Sequence, residues 1–382
     1  MGVETTTDLV PPRSARPRFY RPELDAMRLF AFLCIFVHHT LIPPVVSGRT
    51  QHIGLRSTLG TPLKFAVSLF FVLSGYLITT LLAMEKENTG RVHLRAFYQR
   101  RVARIWPLYY GFTLAVLVIG VFVPRLLPSA RALAAYTFFS GNWYLVFSHS
   151  NLAGGLGILW SINIEEQFYL LWPLLIKGYE RRSLIALSLG ILAASYLLLF
   201  SLGRHGIVSD VAVRFNSLVE MQFFAAGSLL AAWLPREDFH CPGWARSLLA
   251  ACGLSCWGVG TRLFGGMTAS ALWWMPAALY ACAMAGCVAL FISFFGMPGR
   301  WIPRPVLWLG KISYGLYVYH VLVLSLMPSW PAAQKHGVSL AVARVFMELL
   351  LAILVAGLSY RWLEKPFLRW KERATFVPNR QV

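Results

Sequence analysis

Three histidines, a pair of glutamates and a cluster of arginines stand in stretches of this chain that are otherwise built from apolar residues. The stretch from Pro22 to Thr40 reads PELDAMRLFAFLCIFVHHT. It opens with Asp25 and Arg28, runs through hydrocarbon, and closes on His38 and His39. Ionisable side chains inside a membrane segment are costly and face a cavity or a partner. On a helix rising 1.5 Å per residue, Arg28 and His39 stand roughly 16 Å apart along the axis, about half of a ~30 Å hydrocarbon core. That spacing sets Arg28 at the membrane surface and His39 in the middle of the bilayer. An imidazole there, facing a cavity, is placed to act as a base; a structural histidine satisfied by a neighbouring helix explains the same residue equally well.

FYQRRVARIWPLYY at 97–110 sets Arg100, Arg101 and Arg104 just ahead of Trp106 and Pro107. Pro107 is expected in the first turn of the helix that follows. Arg101 and Arg104, spaced i and i+3, share a helical face. Guanidinium groups there suit a phosphorylated ligand arriving from the cytosol, because arginine grips phosphate bidentately. Taken alone, they are better explained as the positive anchor of a membrane span. WSINIEEQFYLLWP at 160–173 carries Glu165 and Glu166 in the first two turns of a span, near the outer surface or slightly below it. Adjacent helical residues point about 100° apart, so at most one of the two faces a shared site well. A carboxylate in a dry cavity could orient a histidine or take its proton, whereas acids at a helix start also suit the macrodipole. His320, in LGKISYGLYVYH at 309–320, is a third intramembrane histidine. It either lines the same cavity or hydrogen-bonds a neighbouring helix, the second being the simpler reading.

The elements that position these groups are membrane helices. Of 382 residues 57% are hydrophobic and only 13% charged, which is the composition of a polytopic helical membrane protein. The net charge of +19 is explained by the positive-inside rule, and no nucleic-acid partner is needed. Six cysteines show no CxxC pair or His–Cys cluster, so no metal site is indicated. The polar start and the long first apolar run do not resemble a cleavable signal peptide. An all-α fold of about ten spans around a central cavity is expected, near 26–46, 62–83, 106–124, 159–176, 182–202, 215–234, 245–264, 271–295, 306–327 and 340–362. An eleventh run, 132–148, is interrupted by Gly141 and Asn142. If it does not cross, most of the chain's 35 Lys and Arg fall on one side, with both termini cytoplasmic. The expected organisation is then an N-terminal arm at 1–21, one membrane domain at 22–367 and a basic tail at 368–382. Ser74-Gly75 in the second span reads as close helix packing, and Arg344 with Glu348 as an i,i+4 pair.

In this order the pieces LDAMR…HH at 24–39, FFVLSGYLIT at 70–79, FYQRRVARIWPLYY at 97–110, WSINIEEQFYLLWP at 160–173, LGKISYGLYVYH at 309–320 and LEKP at 363–366 resemble the acyltransferase 3 family of integral membrane acyltransferases. The resemblance implies transfer of an acyl group, commonly acetyl, from cytoplasmic acyl-CoA to a hydroxyl of a carbohydrate-containing acceptor. Acceptors in that range include a cell-surface glycan, a glycolipid and a glycosylated small molecule such as a macrolide. The family's Arg-x10-His motif falls on Arg28 and His39, which favours His39 over His38. Its arginine motif falls on Arg101 and Arg104, implied to hold the coenzyme A phosphates, with Arg28 and Arg100 beside them. Its WSL-x-x-E motif falls on Trp160, Ser161 and Glu165, with Ile162 in the leucine place. On this reading His39 is the general base, oriented by Glu165 or Asp25, in a cytoplasmic (inner) membrane protein that needs no metal. Many relatives carry a soluble esterase-like domain that this sequence lacks, so partner-assisted or stand-alone action is expected.

The competing class is a proton-coupled transporter in which His39, Glu165 and His320 relay protons. Against it stands the lack of a visible repeat and of paired broken helices. A purely structural role in an envelope assembly gives no reason for buried histidines.

Overall fold

The computed structural model describes residues 19–42, 55–148, 153–178, 180–207, 209–235, 239–265, 272–327 and 338–371. The expected N-terminal arm and basic tail lie almost wholly outside these residues. Every regular element described is helical. Helix α1 (Pro22–Leu41) starts on a proline, whose missing N–H belongs to an unpaired first turn in any case. A short α2 (Leu55–Gly60) and a 3-10 turn (Thr61–Phe65) lead into α3 (Ala66–Thr89) and then α4 (Leu94–Phe122). Next come α5 (Ala130–Thr137), α6 (Gly141–Ser148), α7 (Trp160–Ile176), α8 (Arg181–Arg204) and the one-turn α9 (Asp210–Arg214). The chain continues through α10 (Ser217–Trp233), α11 (Gly243–Phe264), α12 (Met275–Phe294), α13 (Arg304–Lys311) and α14 (Ser313–Leu326). It ends with α15 (Val338–Ser359), a π-helical turn at Tyr360–Glu364 and α16 (Lys365–Lys371).

Fewer helices than the expected ten spans meet the length and composition of a membrane span among the described residues. Seven helices among the described residues are long and apolar enough to cross a bilayer, or eight if α13 and α14, bent by 71°, count as one broken span. Helices α7 and α10, expected as spans at 159–176 and 215–234, have only 17 residues each. That is roughly 25 Å of helix, at the short limit for a span. The 132–148 run forms α5 and α6, eight residues each and about 12 Å long, so neither crosses. Pro107 lies inside α4, which begins at Leu94 and carries the arginines in its first turns. Neighbouring helices make an interior proline tolerable in a membrane bundle.

Helices α8, α11 and α15 form the rim, with Leu197, Leu248, Val259, Leu350 and Leu354 exposed. Exposed Trp233, Trp244, Trp273, Trp274, Trp301 and Trp370 cluster near helix ends, as aromatic belts do. The centre is α3 with α1, α7, α10, α12 and α14. Phe71 and Phe168 both stack on Phe224, at centroid separations of 4.7 and 4.3 Å, tying α3, α7 and α10 together. Helices α3 and α10 touch backbone to backbone. A Cβ on Gly75 would come 2.2 Å from the Phe224 carbonyl oxygen, and one on Gly227 2.0 Å from that of Val72. Small residues permit this approach where no water drives helices together. Gly75→Ala must force the pair apart and is expected to lower stability by about 1–3 kcal/mol. Thermal unfolding in detergent checks this; an unchanged midpoint would deny the contact.

Candidate active site

His39 lies in the last turn of α1, toward the end opposite Arg28. Its Nδ1 is 2.8 Å from Nε2 of His320 on α14. The two rings are tilted by only 22°, with centroids 5.1 Å apart. The centroid separation exceeds the nitrogen separation by about two ring radii, so the rings meet edge to edge. His320 is fully buried, and its Nδ1 lies 2.7 Å from the Tyr317 carbonyl and 3.2 Å from that of Leu316. The Tyr317 hydroxyl is 2.6 Å from Ser161 Oγ in the first turn of α7. His38 points elsewhere: its Nδ1 donates to the Gly60 carbonyl at 2.9 Å and the ring is buried. One helix end therefore carries a half-buried imidazole and, beside it, one engaged in closing the turn below α2.

The arginines gather at the other end. Arg28 donates to Asp25 Oδ1 at 2.7 Å, and Tyr20 donates to Asp25 Oδ2 at 3.1 Å. Arg104, Tyr169 and Glu165 are the electrostatic neighbours of Arg28. The Arg101 guanidinium lies over the rings of Phe97 and Tyr169, and its buried Nε has no hydrogen-bond partner. Glu165 accepts hydrogen bonds from Ser74 and Tyr169, so it sits against the middle of α3. Glu166 diverges toward α4 and accepts from Trp106 Nε1 at 3.1 Å. Glu165 and Asp25 thus face the arginines, while the partner of the His39 ring is His320. Arg100 also stands apart: it pairs with buried Glu85 at 2.6 Å, and Glu85 accepts the His93 backbone N–H at 2.8 Å. One residue along a helix turns the side chain by about 100°, which sends Arg100 to the α3–α4 turn and leaves Arg101 and Arg104 with Arg28.

A family model described as an acyltransferase domain, acyltransferase 3, matches residues 21–361. The chain belongs to the acyltransferase 3 family. It is 28% identical to the O-acetyltransferase OatA of Staphylococcus aureus (strain NCTC 8325 / PS 47), over 95% of this chain and 60% of that protein. It is 26% identical to the peptidoglycan O-acetyltransferase OatA of Listeria monocytogenes, over 91% of this chain and 56% of that protein. The chain spans about 60% of the length of the curated relatives it matches. No solved structure matches.

The acyltransferase 3 motifs fall on two polar centres joined by α7. Ser161 meets Tyr317 on the histidine side, and Glu165, one turn on, meets Ser74 and Tyr169 on the arginine side. An anionic ligand fits the arginine centre, since Arg28 and Arg104 are neighbouring cations and Arg101 keeps a buried donor without a protein acceptor. Sequence reasoning gave no role to Ser74 beyond packing, and none to Tyr169 or to a charged group of Lys64, Asp210 and Arg214. Lys64 and Arg214 both pair with Asp210, and Arg214 lies over the Trp160 ring, 5.4 Å from its centroid. Arg214 is also an electrostatic neighbour of His38 and His39. The available signal was two cations at span ends that the expected topology sets on its less basic side.

Arg100 and Glu85 give a stability test of this sorting. Arg100→Ala strands a buried carboxylate and is expected to cost about 3–5 kcal/mol; Arg101→Ala removes no ion pair and should cost far less. Unfolding midpoints of the two variants compare them directly, and equal losses would contradict the distinction.

Proposed function

We propose that the chain is a membrane O-acyltransferase that moves an acyl group, acetyl first among candidates, from cytoplasmic acyl-CoA to a hydroxyl of a carbohydrate-containing acceptor. The observation that carries this reading is the separation of two centres along α1. One is rich in guanidinium groups and suited to phosphates; the other holds a half-buried imidazole. A nucleotide thioester is anionic at one end and reactive at the other, and the helix provides for both. Arg101, Arg104 and Arg28 hold the phosphates by charge-assisted hydrogen bonds. The thioester arm runs along α7 past Ser74, Glu165 and Tyr169 toward His39. His39 removes the proton from the acceptor hydroxyl as its oxygen attacks the thioester carbonyl. The new C–O bond replaces the C–S bond, and the proton passes from His39 to the departing thiolate.

Glu165 and Asp25 serve the arginine end in this scheme, holding the guanidinium groups in place, while His38 ties the end of α1 to Gly60 at the end of α2. The names of the relatives, O-acetyltransferase and peptidoglycan O-acetyltransferase, support a cell-envelope glycan as acceptor. The outer charged group at Lys64, Asp210 and Arg214 gives such an acceptor polar contacts near His39. Both termini then lie in the cytoplasm, on the arginine side of a cytoplasmic membrane. The bend between α13 and α14 is a single broken helix, and the transporter reading would want a matched pair.

His39→Ala is expected to keep the thermal midpoint of the wild type and to lower acyl transfer at least ~100-fold, the lower bound for loss of a general base. Transfer at the wild-type rate would remove His39 from the chemistry. The double variant Arg101→Ala, Arg104→Ala is expected to raise the acyl-CoA KM about tenfold or more with a smaller change in kcat; an unaltered KM would return both residues to membrane anchoring.

A further inference from the structure

We infer that His320 is the positioning residue that fixes the tautomer of His39, leaving Nε2 of His39 unprotonated and free to take the acceptor's proton. The inference rests on the proposed role of His39 as base. It follows from donors and acceptors alone. A backbone carbonyl only accepts, so the His320 Nδ1 that lies 2.7 Å from the Tyr317 oxygen must carry a hydrogen. A neutral imidazole has one N–H, so Nε2 of His320 presents a lone pair. The atom 2.8 Å away, His39 Nδ1, must then be the donor. Its own ring has the second nitrogen bare, and Nε2 is the base.

The alternative has His320 doubly protonated and donating to His39 Nδ1, which would place a hydrogen on His39 Nε2 and remove the base. His320 is fully buried against the rings of Phe32 and Phe36, and its hydrogen bonds go to two carbonyls and His39. A cation there would stand without a carboxylate partner, an expensive arrangement in a medium of low dielectric constant. The same physics explains why a histidine fills the place where a carboxylate orients the imidazole in many hydrolases. A neutral acceptor avoids burying an uncompensated negative charge when the site is at rest. When His39 takes the acceptor's proton, its Nδ1–H strengthens its bond to the His320 lone pair, and the charge is spread without a second proton leaving the site. Ser161 belongs to this arrangement, because its contact with the Tyr317 hydroxyl holds the helical turn whose carbonyl anchors His320. That gives the serine of the tryptophan–serine motif a task independent of any nucleophilic role.

Nitrogen-15 NMR of histidine-labelled protein in detergent, with the His39 signals assigned by their loss in His39→Ala, reads the tautomer without any turnover. The expected result is a protonated Nδ1 and an unprotonated Nε2 for His39 at neutral pH; a protonated Nε2 overturns the inference. Two variants carry it to catalysis. His320→Phe keeps the bulk and removes the acceptor, and is expected to lower kcat ~100-fold with the acyl-CoA KM within about twofold of wild type. His320→Gln restores an acceptor oxygen and is expected to recover at least about tenfold of that loss. Wild-type kcat in His320→Phe, or no recovery in a folded His320→Gln, overturns the positioning role. An active His39→Ala would instead overturn the base reading and leave the measured tautomer of His39 unaffected, so the two failures are distinguishable.

Discussion

The low dielectric constant of the bilayer interior governs this molecule. A polar group placed there must find its partner within the protein, and each such group that persists draws others toward it. Buried Glu85 takes Arg100, Glu348 takes Arg344, and Glu220 accepts from Ser68 and Tyr280. His320 takes two carbonyls and His39. The same requirement joins Gln167 on α7 to Asn142 and Phe139 of the α5–α6 segment, which is how a polar break in an apolar run becomes a plug packed against the centre of the bundle. The departures from this rule are spread through the bundle, Tyr136 Oη, Asn163 Nδ2 and Gln222 Oε1 among them. Arg101 Nε and Glu166 Oε1 lack partners on the arginine side, where the proposed donor arrives.

Helix packing sets the distances within which that rule can operate. Gly75 and Gly227 bring α3 and α10 into backbone contact, and the adjacent Ser74 is thereby aimed at α7, where it meets Glu165. A residue pair that reads as ordinary small-residue packing thus also determines where a carboxylate sits. Stability and site geometry share the same few side chains, so an enlargement at Gly75 displaces Glu165 as well as separating two helices.

Much of this was legible in the sequence, and the parts that were not have physical causes. The helical membrane class follows from composition, and the divergence of Glu165 from Glu166 follows from helical rotation. The i,i+4 pairing of Arg344 with Glu348 follows from spacing. The number of spans followed less closely, because hydropathy measures the apolar character of a stretch and not the length of the helix it forms; α7 and α10 stop at 17 residues each. Sequence reasoning sets Arg28 at the membrane edge, whereas α1 begins six residues earlier with Asp25 buried beside it. Grouping Arg100 with its neighbours ignored the turn of helix between them. The partner of His39 lies 281 positions along the chain, and no local pattern announces a contact of that range. Family membership found the motif residues but not which of them touch.

The central claim is that the two polar centres belong to opposite sides of the membrane and that one protein joins them. Proteoliposomes containing the purified protein, sorted for a single orientation, test it most directly, with acetyl-CoA supplied on one side and a soluble glycan oligosaccharide on the other. The account predicts acetylated oligosaccharide when acetyl-CoA is on the side of Arg101 and Arg104 and the glycan on the side of His39, and none when the two are exchanged. Transfer that requires donor and acceptor in the same compartment, or that proceeds equally in both arrangements, would contradict it.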